Sequence, residues 1–194
     1  MHRKNVIYNS YMPEYRRAKI EGGTYFFTLV TYQRQSIFLS PEARLLFLDA
    51  INYVKQYRIF ELIAYCVLPD HIHLIISLPE NDTNYSTRLS LIKRRFSKQY
   101  ISRFGELLPK SESYVKRKEV AVWQRRFWEH FIRDDEDLNR HIDYIHYNPV
   151  KHGMVGSVCD WKDSSYHHFV KAGHYTMDWG QDYILNDRNY QFGE

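Results

Sequence analysis

The sequence predicts an α+β fold in which helices pack on an antiparallel sheet, in a ferredoxin-like arrangement. Two observations lead to this prediction. Predicted segments follow the order strand, helix, strand, strand, helix, strand, helix, and no glycine-rich nucleotide-binding loop accompanies them. With 194 residues, 44% hydrophobic and 26% charged, the composition suits one globular domain. We expect that domain to span residues 1–194, with a core at about 15–155, a basic N-terminal segment and an irregular tail after Cys159.

The first half of the chain predicts three strands and one helix. Residues 24–32 are rich in β-branched and aromatic side chains and predict the first strand. A serine followed by Pro41 predicts a helix start, and apolar residues at helical spacing extend this helix to about Gln56. Two apolar runs separated by a turn predict strands at about 60–68 and 72–78.

The second half predicts two further helices and one strand. Residues 86–103 combine an apolar face with a basic one and predict the second helix, whereas polar residues 104–121 predict a loop. The aromatic run 122–128 predicts a strand. Acidic caps predict a third helix from about Glu136, and we expect Pro149 to end its regular part, because proline disfavours helix at the residue before it.

Composition limits the class of protein. The formal net charge of +4 is compatible with a nucleic-acid partner. The two cysteines, Cys66 and Cys159, form no disulfide framework, and Cys66 is expected to be a small core residue. The sequence contains neither an apolar run long enough to span a membrane nor an apolar N-terminal signal segment, so we expect a cytoplasmic protein.

Two histidines separated by one residue begin the third predicted strand. Side chains on a strand alternate between faces, so His71 and His73 share one face while Ile72 points the other way. Two imidazoles on one face form half of a metal site, and the alternative is a pair of half-buried histidines on a sheet surface. A histidine-triad hydrolase would need a third histidine where this chain has Ile75, and a structural zinc site would need a fourth ligand.

The third helix places a tyrosine and a carboxamide on one face. Tyr144 and Asn148 are four residues apart, and His141 lies three residues before Tyr144. The carboxamide oxygen of Asn148 could complete a three-ligand metal site, beside which Tyr144 could attack a phosphodiester. A helical tyrosine is otherwise a packing residue with a polar tip, and asparagine before proline is also common at helix ends.

These motifs resemble those of a known enzyme family. Residues 71–73 resemble the HUH motif, in which U is a bulky apolar residue, and Tyr144 with Asn148 resembles the Tyr-x-x-x-[Gln/Asn] helix of the single-tyrosine HUH transposases, the IS200-like superfamily. Residues 127–130, 143–153 and 177–179 resemble its branch of REP-associated tyrosine transposases, found beside repetitive extragenic palindromes (REP) in bacteria. Asparagine at position 148, where many relatives carry glutamine, is typical of that branch.

The resemblance implies a mechanism. It implies that His71, His73 and Asn148 bind a divalent metal, Mg²⁺ or Mn²⁺, and that Tyr144 is the nucleophile that forms a 5′-phosphotyrosine with single-stranded, hairpin-forming DNA. It also implies that the protein uses no nucleotide cofactor and is located with the nucleoid in the bacterial cytoplasm. The resemblance favours a monomer over a dimer. The alternative is a regulatory protein of the same fold that binds hairpin DNA without cutting it.

Basic side chains indicate where DNA could bind. Two arginines lie between Trp123 and Phe127, and guanidinium and aromatic planes together suit unpaired bases, whereas a basic helix face is usually only solvated. Of the histidines on the third helix, His141 is a candidate to support the metal site, and His146 and His152 are expected to be surface or packing residues. The candidate DNA-binding residues are Arg16, Arg17, Lys93, Arg94, Arg95, Arg125 and Arg126.

Overall fold

The structure, a computed structural model, describes residues 19–105, 111–117 and 120–181. Its strands and helices, in chain order, are β1 (Thr24–Val30), α1 (Pro41–Tyr57), β2 (Glu61–Val67), β3 (His71–Ser77), α2 (Tyr85–Phe104), α3 (Glu112–Lys116), β4 (Trp128–Phe131), α4 (Asp135–Lys151) and α5 (Tyr166–Lys171). Short 3₁₀ turns lie at Tyr32–Arg34, Ile37–Leu39 and Val158–Asp160. Among these described helices, none is long and apolar enough to cross a membrane.

The four strands form one antiparallel sheet in the order β2-β3-β1-β4. Apart from the short α3 between α2 and β4, the chain order of the sheet and its first two helices is β1, α1, β2, β3, α2, β4, so the predicted ferredoxin-like arrangement is confirmed. In the central pair of strands, Thr28 lies opposite His73 and Val30 lies opposite His71. This register places His73 beside the middle of β1 and His71 beside its end.

The two faces of the sheet pack against different layers. Ile72, Leu74 and Ile76 belong to the larger apolar core, which α1 and α2 cover. Ile75 belongs to the smaller core on the opposite face, together with Cys66 and side chains of α4. The alternation predicted for the third strand is therefore confirmed, and the predicted core position of Cys66 is confirmed as well.

Side-chain caps begin the three long helices where the sequence places capping residues. The Ser40 hydroxyl accepts from the Ala43 N–H at 3.3 Å, and Pro41 follows at the first helical position. Asn84 caps α2 through the Thr87 N–H at 3.0 Å, and Asp134 caps α4. The predicted helices from residue 41 and over residues 86–103 are confirmed to within one or two residues at each end.

The predicted strand at 122–128 is wrong in position. The strand that pairs with β1 starts only at Trp128. Earlier in the run, Val122 and Trp123 are buried in the larger core, and Trp123 forms an isolated bridge with Thr31. Burial of apolar side chains, without a continuous ladder, explains why this segment has the composition of a strand.

Four further expectations are corrected. Residues 112–116 of the predicted loop form α3, and the tail after Cys159 contains α5. Pro149 lies inside α4, because it occupies the last turn and removes only one hydrogen bond there. Arg88, which helical spacing places on the basic face predicted for residues 86–103, is instead buried, and its guanidinium donates to the Ile59 carbonyl at 2.7 Å.

Candidate active site

The two histidines of β3 lie side by side beneath α4. Both His71 and His73 are buried, and their ring centres are 4.9 Å apart. Nδ1 of His71 donates to Oδ1 of Asp70 at 2.6 Å, and a 3.0 Å hydrogen bond joins Nδ1 of His73 to the hydroxyl of Thr28. Since each ring is held through Nδ1, Nε2 is the ligand atom that this arrangement favours.

Asp70 is itself held in place by the segment that follows β1. The Asp70 carbonyl accepts from the N–H of Thr31 at 2.9 Å and from its hydroxyl at 2.8 Å, and Arg34 pairs with the carboxylate at 3.0 Å. Burial by itself would raise the pKa of Asp70, but His71 and Arg34 outweigh it and hold that pKa below its usual value. The carboxylate that orients His71 is therefore ionised and anchored.

One face of α4 lies against the histidine pair. The ring of Tyr144 is 5.3 Å from that of His73, and the ring of His152, two turns later, is 5.5 Å from that of His71. Asn148 is one turn from each of them, so it lies on the same face between the two contacts, and its side chain is fully buried. The structure thus brings together the four residues that the sequence proposed for metal binding and nucleophilic attack.

Tyr144 is enclosed in this structure. Its side chain has no exposed surface, and its ring packs edge-on against Phe26 at 6.1 Å. The ammonium of Lys151, seven residues later on α4, lies 4.9 Å from the centre of the Tyr144 ring. A cation close to the tyrosine suits attack on a phosphate, because the ammonium can bind oxygens of the phosphate that the tyrosine attacks.

The donor set fits a divalent metal. Two imidazole nitrogens and a carboxamide oxygen are ligand types that Mn²⁺ accepts, and Mg²⁺ tolerates them together with substrate phosphate and water. The hydrogen bonds at both Nδ1 atoms are the outer support that histidine ligands commonly have. Three protein ligands on the wall of an active site also leave coordination positions for oxygens of a substrate.

A second group of side chains that could bind a metal lies at the start of α4. Within the described ranges, it is the only cluster that contains three or more His, Cys, Asp or Glu side chains. The ligand atoms of His130, Asp137 and His141 all lie within 4.8 Å of one another. Arg133 also pairs with the Asp137 carboxylate, at 3.1 Å, and this positive charge competes with a cation. The group is therefore better described as an ion-pair network that ties the start of α4 to β4.

This network determines the charge of its members. Burial by itself would raise the pKa of Asp137, but hydrogen bonds from His130 and Arg133 outweigh it and lower that pKa to about 2. Burial lowers the pKa of His141 to about 4, so this imidazole is neutral near pH 7. His141 contacts Phe26 at 4.9 Å, and Phe26 in turn stacks on His73 at 5.4 Å, so any support it gives to the metal site passes through that phenyl ring.

The C-terminal segment contacts both α4 and strand β2, where Ser165 donates from its N–H to the Tyr65 carbonyl at 2.9 Å. His146 is fully buried, and its Nε2 lies 2.8 Å from the hydroxyl of Ser165. Tyr175 donates from its hydroxyl to Asp143 at 2.6 Å. The expectation that His146 is a surface or packing residue is resolved in favour of packing, whereas His152 is exposed at the edge of the histidine pair.

The basic candidates separate onto different surfaces. Lys93 and Arg94 face an open groove between α2 and α3, whereas Arg95 pairs with Asp49 at 3.0 Å and stacks over the ring of Tyr53. Arg125 lies on the wall of the groove, and Arg126 is exposed but outside its lining. Arg16 and Arg17 lie outside the residues that the structure describes.

We call this cavity the α2 groove. Its volume is about 780 Å³. Besides the candidates Lys93, Arg94 and Arg125, its wall includes two further cations, Lys98 and Arg117. The remaining residues that line it are Ser90, Ser97, Ile101, Tyr114, Val120, Trp123 and Gln124.

Four residues of the candidate active site were not predicted from the sequence, and one of them, Asp70, stands directly before His71 in the predicted turn. Thr28 lies 45 positions before His73, and only the sheet register brings them together. Lys151 could have been found, because it is seven residues after Tyr144 and two helical turns return it to the same face. The contact of His152 with His71 depends on how α4 crosses the sheet, which no local pattern records.

Comparisons with known proteins agree with one another. The family described as "Transposase IS200 like" matches residues 19–148. A REP-associated tyrosine transposase of Escherichia coli is 42% identical over 171 residues, which are 88% of this chain and 93% of the relative. A Haemophilus influenzae protein provisionally given the same description is 46% identical over 169 residues, 87% and 94% of the two chains. The solved structure of a REP-associated tyrosine transposase bound to a REP hairpin superposes with a TM-score of 0.76, at 39% identity, and covers 94% of this chain and 98% of that one.

Proposed function

This chain belongs to the IS200-like transposase family, in its branch of REP-associated tyrosine transposases, and from that premise we propose that it cleaves and rejoins single-stranded DNA beside a REP-type hairpin through Tyr144. The observation that carries the proposal is the contact of Tyr144 with His73, on the helix face that also presents Asn148. The related structure in complex with a REP hairpin supports hairpin DNA as the substrate.

We assign the metal to the histidine pair and not to the network at the start of α4. His71, His73 and Asn148 would hold Mg²⁺ or Mn²⁺, with Asp70 and Thr28 orienting the two rings. A metal bound there would polarise the scissile phosphate and offset the charge that develops on it. At the second group, Arg133 already neutralises Asp137, so a cation gains less there.

The chemistry assigned to Tyr144 is a transfer of the phosphate between two oxygens. The phenol oxygen attacks phosphorus, the bond from phosphorus to the 3′ oxygen breaks, and the phenol proton is lost as the leaving oxygen gains one. The product is a 5′-phosphotyrosine and a free 3′-OH. Because the new ester conserves the phosphodiester bond, attack by a 3′-OH reverses the step without ATP.

One observation favours the alternative of a regulator that binds hairpin DNA without cutting it. Tyr144 has no exposed surface in this structure, so a phosphate reaches its oxygen only after neighbouring side chains move. Lys151, beside the Tyr144 ring, is exposed, so a change in its side-chain rotamer would open a route to the tyrosine. We therefore favour the enzyme, since access requires a side-chain movement and not a different fold.

The test is to trap the covalent intermediate. The protein is incubated with Mn²⁺ and a REP-type hairpin whose cleavable strand is short, so that the product diffuses away and rejoining fails. A protein–DNA adduct is expected with wild type and with Tyr147→Phe, the neighbouring tyrosine, and none with Tyr144→Phe. Mass spectrometry should place the phosphate on the peptide that contains Tyr144. An intact adduct in the Tyr144→Phe variant would contradict the proposal.

The metal assignment is tested separately. His71→Ala and His73→Ala should each abolish cleavage and leave hairpin affinity within about threefold, because most phosphate contacts lie elsewhere. His130→Ala serves as the matched control, since it removes an imidazole from the second group and should retain metal-dependent cleavage. Full activity in excess EDTA would show that cleavage needs no metal, and loss of cleavage in the His130 variant alone would place the metal at the second group.

A further inference from the structure

We propose that His152 is an additional protein ligand of the divalent metal, beside Asn148 and the two histidines of β3. This inference rests on the proposed function and deepens it, because a further imidazole changes which metal ions the same site prefers. His152 directly follows the last residue of α4, and its ring lies 5.5 Å from that of His71, at the rim of the histidine pair.

Helix geometry brings His152 onto the face that carries Asn148. The N–H of His152 donates to the Asn148 carbonyl at 3.0 Å, so the hydrogen-bond pattern of α4 continues through His152. Residues four apart on a helix share a face, and Tyr144, Asn148 and His152 therefore form one row. The first member of this row contacts His73, and the last contacts His71. Asn148, between them, is already assigned to the metal.

The turn that ends α4 fixes the backbone on which His152 stands. Gly153 has a φ of 66°, and its N–H donates to the Val150 carbonyl at 2.9 Å. The N–H of Met154 donates to the Pro149 carbonyl at 2.9 Å. These two hydrogen bonds form a Schellman motif, in which the glycine takes a left-handed conformation just after the helix. The His152 side chain is exposed, but it projects from a backbone held on both sides.

The spacing of the imidazole rings suits ligands of one ion. A bond of about 2.1 Å from metal to imidazole nitrogen, as in zinc sites, places two ring centres about 4.6 Å apart at a right angle and about 6.5 Å apart on opposite sides of the ion. The ring centres of His71 and His73 are 4.9 Å apart, and those of His71 and His152 are 5.5 Å apart. Both distances lie within this range. The ring planes meet at 82° and 75°, so neither pair is stacked face to face.

A basic side chain at the end of a helix commonly serves only to offset the negative end of the helix dipole. Lys151 already supplies a cation in the last turn of α4. That role also requires no contact with a second imidazole, whereas the ring of His152 lies edge-on to that of His71. Shared metal binding therefore explains the position of His152 better than the helix dipole does.

An additional imidazole has a consequence for metal preference. Mg²⁺ prefers oxygen ligands, whereas imidazole nitrogen is a better ligand for Mn²⁺. Removing one imidazole should therefore reduce the affinity for Mn²⁺ more than the affinity for Mg²⁺. A residue that only supports the fold would affect both affinities alike, so their ratio distinguishes a ligand from a packing residue.

The test measures metal binding by the full-length protein without DNA. Mn²⁺ and Mg²⁺ are titrated separately, by calorimetry, into wild type and His152→Ala. His168→Ala, which removes an exposed histidine from α5, is the matched control, and His71→Ala is the reference for loss of an assigned ligand. Electron spin echo envelope modulation of the bound Mn²⁺ reports how many imidazole nitrogens are coordinated to it.

We expect His152→Ala to lose about tenfold in affinity for Mn²⁺ and less than about threefold in affinity for Mg²⁺. The nitrogen modulation of bound Mn²⁺ should decrease by about one third, because one of three coordinated imidazoles is removed. His168→Ala should match wild type in both measurements. His71→Ala should lose more Mn²⁺ affinity than His152→Ala, because His71 is buried and is oriented by Asp70.

Two results would overturn the inference. Equal losses for the two metals would mean that His152 supports the fold, and unchanged Mn²⁺ affinity with unchanged nitrogen modulation would mean that it is no ligand. In both cases His71→Ala would still lose Mn²⁺ binding and wild type would still form the covalent adduct, so the proposed function would stand. Wild-type Mn²⁺ affinity in His71→Ala would instead place the metal elsewhere, and both the metal assignment and this inference would fail.

Discussion

Asp70 and His71 are consecutive in the chain, and a 2.6 Å hydrogen bond joins the carboxylate of the first to Nδ1 of the second. The main-chain carbonyl of the same aspartate is held by Thr31, so the imidazole is oriented by an anchored group. The Pro69-Asp70 turn thus ends β2, starts β3 and fixes one candidate metal ligand.

The first prediction concerns this carboxylate. Asp70→Asn keeps the shape of the side chain and removes the charge that orients His71, so affinity for Mn²⁺ should fall about 10- to 100-fold. Calorimetric titration of Mn²⁺ measures the affinity, and cleavage should recover at higher metal concentration. Asp49→Asn is the control, because Asp49 pairs with Arg95 on the surface of α1. Equal metal affinity in Asp70→Asn and wild type would show that the hydrogen bond does not support a ligand.

The second prediction concerns the start of α4. The Asp134 carboxylate accepts from the N–H of Asp137 at 2.8 Å, so Asp134→Ala should lower the free energy of unfolding by about 1 kcal/mol. Urea denaturation at neutral pH measures this loss. Asp135→Ala also removes one negative charge from the first turn, but Asp135 is not the capping residue. This variant should lower the free energy of unfolding by only about 0.3–0.5 kcal/mol, through the helix dipole. Similar losses in both variants would mean that charge and not capping matters here.

The third prediction concerns acid stability. The pKa of His141 is about 4 in the folded protein against 6.5 as its ordinary value, so between these pH values the unfolded chain binds a proton that the folded chain does not. Stability from this group is therefore complete above pH 6.5 and falls, as the pH decreases to about 4, by about 1 kcal/mol per pH unit. The groups that face it are His130, Asp137 and Arg133.

This pH dependence is measured from urea midpoints at several pH values between 7 and 4. In His141→Asn the side-chain amide replaces Nδ1, so the curve should start lower, because a buried ring is lost, and should be flatter over this window. His168→Asn, at an exposed position on α5, should retain the slope of wild type. Unchanged slope in His141→Asn would show that another buried group controls the acid limb.

Local pattern predicted the parts of the site that lie within one element. Alternation on β3 is enough to place His71 and His73 on one face, and helical spacing is enough to align Tyr144 with Asn148, because both relations depend only on backbone geometry. The same reasoning gave the order of the secondary-structure elements and hence the antiparallel sheet with its helices, which the structure confirms.

Relations between elements could not be predicted in this way. The basic run on α2 is continuous in sequence, yet the rotation of the helix sends Lys93 to the α2 groove and Arg95 to Asp49. The aromatic run at 122–128 has the composition of a strand, but this composition reflects burial, because Trp123 packs into the larger core without joining the sheet ladder. The α5 helix is only six residues long and depends on tertiary contacts such as that of Ser165 with Tyr65, so its own sequence predicts it weakly.

The last prediction concerns the cation beside the nucleophile. Lys151 stands 4.9 Å from the centre of the Tyr144 ring, where an ammonium can bind the phosphate that Tyr144 attacks. Lys151→Ala should therefore slow cleavage by about 100- to 1,000-fold, the range expected when one donor that stabilises the charge of a transition state is removed. Hairpin affinity should change little, because this is one phosphate contact among many. Lys151→Arg should retain more activity than the alanine variant, and Lys162→Ala, an exposed cation outside the site, should cleave as wild type does. Single-turnover cleavage at saturating protein separates rate from binding. Faster cleavage by Lys151→Ala would show instead that the side chain shields the buried tyrosine from DNA.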